Sequence, residues 1–143
     1  MAGIRASNTK PELAIRKMLH ALGYRYRLHA RDVPGKPDLV LPRYRAAIFI
    51  NGCFWHGHDC PLFKIPGTRR EFWKSKIARN MARDHTVREQ LDAEGWRYLT
   101  VWECAIRGAG KLGIDETVQR IVNWLPTAQH ERDIRAPRRR PAG

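Results

Sequence analysis

The sequence predicts an α/β fold, in which a mixed sheet is flanked by helices. Two observations indicate this class. Helical stretches with recognisable start and stop residues alternate with short strand-like runs, and the run at 46–50 is apolar throughout, as in a strand buried on both faces. With 143 residues, 43% of them hydrophobic, the chain fits one domain with a substantial core.

The first predicted helix begins at a capping box and ends at Gly23. Thr9 supplies the hydroxyl cap, Pro11 suits the first turn, and Glu12 stands three residues after Thr9. This pattern explains Glu12 as the partner of the cap, without a chemical role. A capping role and a role in a functional site can coexist.

The later elements follow from the same kinds of signal. Strands are predicted at 24–28, 38–41, 46–50 and 97–102. Helices, each followed by glycine or proline, are predicted at 68–94 and 115–125. We therefore expect one domain over 1–126. Residues 127–143 hold five arginines and almost no large apolar residue, which predicts a flexible basic tail.

The charge balance predicts a polyanionic partner. Lys and Arg number 27 against 14 for Asp and Glu, a formal net charge of +13. Nucleic acid is the first such partner, and an anionic membrane surface is the second. No stretch approaches the roughly 18–20 apolar residues of a spanning helix, and the N-terminus lacks the apolar core of a signal peptide. We expect a cytoplasmic protein without a membrane partner.

A segment of eight residues carries the densest chemistry, because it holds two cysteines and two histidines. The donor types predict a closed structural zinc site of three thiolates and one imidazole. Its expected ligands are Cys53, His58, Cys60 and the distant Cys104. His56 and Asp59 remain alternative ligands. The alternative to a metal site is that the cysteines are small buried residues.

Asp38 is the candidate for a second, catalytic metal. It follows Pro37 at the start of a strand that leads by a short connection into the run at 46–50, a geometry that recurs in nucleases. Mg²⁺ selects carboxylate, carbonyl, water and phosphate oxygens. A Pro-Asp pair alone is weak evidence, since an aspartate after proline is usually a turn former.

Four segments together resemble the very short patch repair (Vsr) mismatch endonucleases: PGKPDLVL, FINGCFWHGHDC, TRREFWKSKIARNMARD and GWRYLTVWECAIRG. The resemblance runs from about Thr9 to Trp124. It implies a PD-(D/E)XK-like, restriction-endonuclease-like fold with structural zinc. The implied enzyme needs Mg²⁺ and nicks double-stranded DNA at T:G mismatches left by deamination of 5-methylcytosine. It also implies a bacterial, nucleoid-associated monomer that leaves the nick to downstream repair proteins.

The resemblance also implies roles for individual residues. Asp38 matches the magnesium-binding aspartate, and Ile50 the position that offers its backbone carbonyl to the same ion. Glu12 matches an acid that supports this site through water. His56 matches the catalytic histidine, which Asp84 orients and stabilises when protonated. The zinc ligands match the four residues expected above.

One stripe of the helix predicted over 68–94 mixes aromatic, amide and carboxylate side chains. Its members are Trp73, Ile77, Asn80 and Asp84, with Lys76 at the edge. A core stripe is the alternative, but amides and carboxylates are poor core residues. The resemblance implies that three aromatic residues wedge into the base stack beside the mismatch and that two residues face its bases. These are Phe54, Trp55 and Trp73, then Lys76 and Asn80.

The chain departs from the best-known family pattern at Ile50 and Asn51, where that pattern has threonine and histidine. A backbone ligand at position 50 tolerates the change, but the neutral amide of Asn51 cannot accept a proton from water at ordinary pH. Two alternatives therefore stand beside the repair endonuclease. One is a nuclease of the same fold with different or relaxed lesion specificity, and the other is a catalytically weak, zinc-stabilised DNA-binding module.

Overall fold

A five-stranded sheet organises the computed structural model, which describes residues 10–137. The strands are β1 (Arg27–Leu28), β2 (Leu39–Leu41), β3 (Ala46–Asn51), β4 (Arg97–Trp102) and β5 (Glu131–Ile134), in that spatial order. The helices are α1 (Lys10–Ala21), α2 (Arg70–Ala93), α3 (Glu103–Ile106) and α4 (Ile114–Trp124), with a 3₁₀ turn at Pro42–Tyr44. The predicted mixed α/β class is confirmed.

The strand directions decide where the functional loops meet. β1, β2 and β3 pair antiparallel, whereas β3–β4 and β4–β5 are parallel. α2 lies between β3 and β4 in the chain and returns it for the parallel pairing. Asn51 consequently lies opposite Trp102 in the register. The loop after β3 and the turn into α3 therefore leave the sheet side by side, at the carboxyl ends of these two strands.

Both faces of the sheet are covered. On one face Leu39, Ile48 and Leu99 pack in a buried cluster with residues of α1 and α4. On the other, Val40 and Ala47 pack against Leu91 of α2. The central strands therefore lose apolar surface to water on both sides, which is the dominant favourable term in folding. No helix within 10–137 is long and apolar enough to cross a membrane.

The C-terminal region differs from the expectation of a flexible tail that starts at Thr127. Residues 131–134 form β5, which pairs with β4, and Ile134 is fully buried. The reason is tertiary: a short strand at the sheet edge is stabilised by its neighbour's backbone groups, which its charged sequence does not reveal. Arg138, Arg139 and Arg140 lie outside the described residues.

Two smaller differences concern the N-terminal half. β1 spans two residues rather than the five predicted at 24–28, although Tyr24 and Tyr26 still pack against the core. The predicted cap at Thr9 lies outside the described residues, and α1 is described from Lys10. The remaining predicted helices and strands agree with the structure within one or two residues.

Candidate active site

Asp38 is held against the neighbouring strand. It directly precedes β2, and its Oδ2 accepts a hydrogen bond of 2.7 Å from the backbone N–H of Ile50 in β3. The residue is only 8% exposed. The antiparallel pairing of β2 with β3 therefore places Asp38 beside Ile50, the two residues expected to share a metal.

Two further side chains complete this acidic site. Glu12 of α1 is 1% exposed, and its Oε2 lies 2.7 Å from Nε2 of His29 and 3.3 Å from Nη1 of Arg16. One donor atom each from Glu12, His29 and Asp38 lie within 4.8 Å of one another. Glu12 therefore faces the site from the helix, whatever its part in capping.

His29 was missed by sequence reasoning. Its backbone N–H donates to the carbonyl of Asp38 at 3.1 Å, just beyond the β1–β2 pairing. A signal was present in the sequence: Pro-Gly-Lys-Pro at 34–37 is typical of a turn, and it stands between the strands predicted at 24–28 and 38–41. An antiparallel pair of such strands places residues on its two arms opposite each other.

The electrostatics of the site favour a bound cation. The pKa of Asp38 is raised from 3.8 to about 7, mainly by burial and also by the charge of Glu12, while the Ile50 N–H and the charge of His29 act in the opposite direction. Two carboxylates in a poorly solvated site repel each other unless a proton or a cation lies between them. The oxygen donors fit a hard divalent ion such as Mg²⁺, and His29 adds one nitrogen donor.

His56 and Asp84 form the second polar pair. Nδ1 of His56, in the loop after β3, lies 2.6 Å from Oδ2 of Asp84 on α2, and each side chain is about one quarter exposed. An imidazole held at Nδ1 by a carboxylate keeps Nε2 for proton transfer.

The acidic site, the His56 pair and Asn51 share one cleft. Its lining includes Asp38, Asn51, His56 and Asp84, and its volume is about 1570 Å³. Pockets for small molecules are commonly about 300–1,000 Å³. The cleft therefore has room for a segment of a polymer.

The four expected zinc ligands lie together. One donor atom each from Cys53, His58, Cys60 and Cys104 lie within 4.8 Å of one another. Nδ1 of His58 is 3.7 Å from Sγ of Cys104, and the His58 ring stacks on Trp102 at 4.0 Å. The parallel β3–β4 pair explains the meeting, because Cys53 follows β3 and Cys104 lies in α3 directly after β4.

The donor environment fits a thiolate-bound metal. The N–H of Cys104 points to Sγ of Cys53 at 3.3 Å, and the N–H of Ala136 points to Sγ of Cys104 at 3.4 Å. Burial raises the pKa of both thiols, so their deprotonation in this setting requires a nearby cation. The two alternative ligands are not members of this group: His56 contacts Asp84, and Asp59, next to His58, forms an ion pair with Arg135.

An aromatic cluster stands where the loop meets α2. Phe54 and Trp55 of the loop and Trp73 of the helix contact one another edge to face, with ring centroids 5.0, 5.5 and 5.7 Å apart. Nδ2 of Asn80 donates to the carbonyl of Trp55 at 3.0 Å. Lys76 lies half-buried on the same helix. All five residues expected to contact DNA are thus on the loop or on α2.

Comparison with known proteins identifies the family. The family model described as DNA mismatch endonuclease Vsr matches residues 1–62. The type II nicking enzyme V.XorIIP of Xanthomonas oryzae pv. oryzae is 47% identical over 112 residues, which cover 78% of this chain and 82% of that protein. The DNA mismatch endonuclease Vsr of Escherichia coli is 42% identical over 125 residues, covering 87% and 80%. This chain belongs to the Vsr family.

Membership in the Vsr family makes the chain an endonuclease. A third Vsr-like relative, the type II nicking enzyme V.NmeAIP of Neisseria meningitidis, is 38% identical over 128 residues, 90% of each chain. The segment matched by the Vsr family model contains Glu12, Asp38, His56 and three of the four candidate zinc ligands. The predicted resemblance to this family is confirmed.

Proposed function

We propose that this Vsr-family endonuclease nicks one strand of double-stranded DNA at a T:G mismatch and so starts very short patch repair. One observation carries the proposal: a buried carboxylate pair and a His–Asp pair line the same cleft. A mismatch endonuclease among the relatives supports the mismatch as substrate. We propose the PD-(D/E)XK-like fold, action as a monomer at the bacterial nucleoid, and further processing of the nick by repair proteins as parts of the same hypothesis.

Asp38 and the backbone carbonyl of Ile50 hold Mg²⁺ in this proposal, and Glu12 supports the site through water. When bound, the ion polarises the scissile phosphate and activates the attacking water. Nε2 of His56 moves the proton, and Asp84 holds Nδ1 and stabilises the protonated ring. The amide of Asn51 orients water without accepting its proton.

Zinc at Cys53, His58, Cys60 and Cys104 has a structural role, since four protein ligands leave no open position for water. These residues would anchor the loop to α3 when zinc is bound, and the anchored loop would present His56 to Asp84. The proposal thus needs two different metals: zinc at the site of sulfur and nitrogen donors, and magnesium at the site of oxygen donors.

The aromatic cluster of Phe54, Trp55 and Trp73 opens the duplex at the mismatch. Unstacking costs a few kcal/mol per step and costs least at a mispair, so insertion selects the lesion before any base is read. Lys76 and Asn80 then face the mismatched bases. The net charge of +13 supplies salt-dependent attraction to the phosphates.

A nicking enzyme with another lesion or sequence preference is the second candidate. Two of the three relatives reported above are named type II nicking enzymes, and Asn51 marks a departure beside the proposed catalytic residues. In this case the same residues cut the strand, and the range of substrates differs.

A strand-resolved nicking assay tests the proposal. Labelled duplexes, matched or with a single mispair, are incubated with and without Mg²⁺, using wild type, Asp38→Ala and the control Asp115→Ala in the exposed first turn of α4. We expect Mg²⁺-dependent nicking of the T strand at T:G only, lost in Asp38→Ala. Nicking at other mispairs would support the second candidate. Tight binding without any cleavage would contradict both.

A further inference from the structure

The two residues directly after β5 lie beside the candidate zinc centre, and Ile134 at the end of β5 fixes them to the main core. Ile134 is fully buried, and Ala136 is 7% exposed and packs in one cluster with Cys53 and Cys104. The N–H of Ala136 donates to Sγ of Cys104 at 3.4 Å. The C-terminal segment thus contributes directly to the surroundings of the ligands.

Arg135 attaches this segment at two points to the ligand loop, which comprises residues 53–60. Its Nη1 donates to Oδ1 of Asp59 at 2.5 Å, and its Nη2 donates to the carbonyl of Asp59 at 3.1 Å. Asp59 stands between His58 and Cys60 in the chain. A guanidinium bound to both the side chain and the backbone of one residue restricts that residue's position more than a single ion pair does.

The charge of Arg135 also complements the centre. Zinc held by three thiolates and a neutral imidazole carries one net negative charge, and Asp59 adds another. Although burial lowers it, the pKa of Arg135 is raised on balance by Asp59 and by the charges of Cys104 and Cys60. Groups just outside the ligands commonly orient them and adjust metal affinity in this way.

We propose that residues 134–136 form a clamp on the zinc centre, in which Arg135 is the positioning residue that holds Asp59 and the loop over 53–60. The proposal rests on the zinc assigned in the proposed function. Because the same loop carries Trp55 and His56, the clamp fixes these groups over the cleft without touching the substrate. The segment that its sequence predicts to be a flexible tail is therefore part of the site's support.

Zinc retention tests the clamp independently of nicking. Zinc per chain is first measured in the purified full-length protein, and zinc release into an excess of a colorimetric chelator is then followed. We expect Arg135→Ala to release zinc roughly 10–100-fold faster than wild type, in line with the effect of removing groups next to metal ligands. Arg135→Lys keeps the charge but not the two-point contact, and we expect it to restore part of the retention.

The matched control is Arg120→Ala, which removes an arginine from an ion pair with Glu116 on the distant helix α4. Asp59→Ala and the double variant Asp59→Ala/Arg135→Ala show whether Arg135 acts through Asp59, because the double variant is then no worse than the worse single variant. Circular dichroism verifies folding of each variant.

Wild-type release rates in folded Arg135→Ala would overturn the clamp, as would equal acceleration by Arg120→Ala. A wild-type protein without zinc would overturn the clamp and the zinc assignment together. The nicking proposal keeps its own assay in either case.

Discussion

At the scale of single residues, the site contains charged groups whose burial lowers the stability of the folded protein. Asp38 is a buried carboxylate beside a second one, Glu12, and its raised pKa expresses that cost. In the proposed function the same arrangement provides the affinity for a divalent cation, since a bound ion relieves the repulsion between the carboxylates. Function and stability are therefore opposed at this residue.

Asp38→Asn tests that opposition through pH. The folded-state pKa of about 7 lies above the ordinary value of 3.8, so the wild type without magnesium loses stability as pH rises from about 4 to 7. We expect the variant to avoid this loss, so that its free energy of unfolding exceeds that of the wild type by up to about 4 kcal/mol above pH 7. Urea unfolding in magnesium-free buffer measures this difference at each pH. A difference that does not change with pH would contradict the prediction.

His29→Ala tests the donor that sequence reasoning missed. Glu12 loses the partner at 2.7 Å and keeps Arg16 at 3.3 Å, so its carboxylate is less well oriented toward the metal site. We expect a several-fold higher Mg²⁺ concentration for half-maximal nicking, partly restored in His29→Gln. His20→Ala, on the exposed face of α1, is the control. An unchanged Mg²⁺ dependence would remove His29 from the site.

Asn51→His tests whether the cleft lacks a second general base beside His56. Asn51 lines the cleft with His56, and an imidazole there can accept a proton that the amide cannot. We expect a faster single-turnover nicking rate in the variant. An unchanged rate would show that His56 is sufficient.

At the scale of elements, the ligand loop packs directly against α2. Gly57 of the loop has φ +63°, and an added Cβ would lie 2.6 Å from Sδ of Met81 and 3.0 Å from Cγ2 of Ile77 on the helix. Only glycine allows this approach without displacement. The close approach keeps His56 within reach of Asp84.

Asp84→Asn tests what the helix contributes. The amide has nearly the shape of the carboxylate but cannot stabilise a protonated His56. We expect nicking at least about 100-fold slower, with DNA binding and melting temperature nearly unchanged, because the pair is partly exposed. Asp92→Asn, near the end of α2, is the matched control. A rate close to wild type would contradict the proton-transfer role.

At the scale of the whole molecule, the parallel β3–β4 pair brings distant parts of the chain to one edge. Cys53 and Cys104 are far apart in sequence, yet both follow strands that end side by side. A metal held there would join the loop over 53–60 to α3, and the segment after β5 contacts this group through the Ala136 N–H.

Cys104→Ser tests this connection. Loss of a metal centre is among the large destabilisations, about 3 kcal/mol or more, and we expect the melting temperature to fall by about 10 °C. Differential scanning calorimetry of wild type, wild type stripped of zinc and the variant measures it. Equal melting temperatures in all three would contradict a structural metal.

The sequence alone determined the elements with strong local signals, such as α2, β3 and β4, since periodicity and apolar runs are properties of neighbouring residues. It also indicated the cluster of candidate zinc ligands, because three of its four members lie within eight residues. Only the tertiary structure decided β5 and the contact of His29 with Glu12. These features depend on which strands become neighbours, and backbone pairing between distant segments leaves little trace in local sequence.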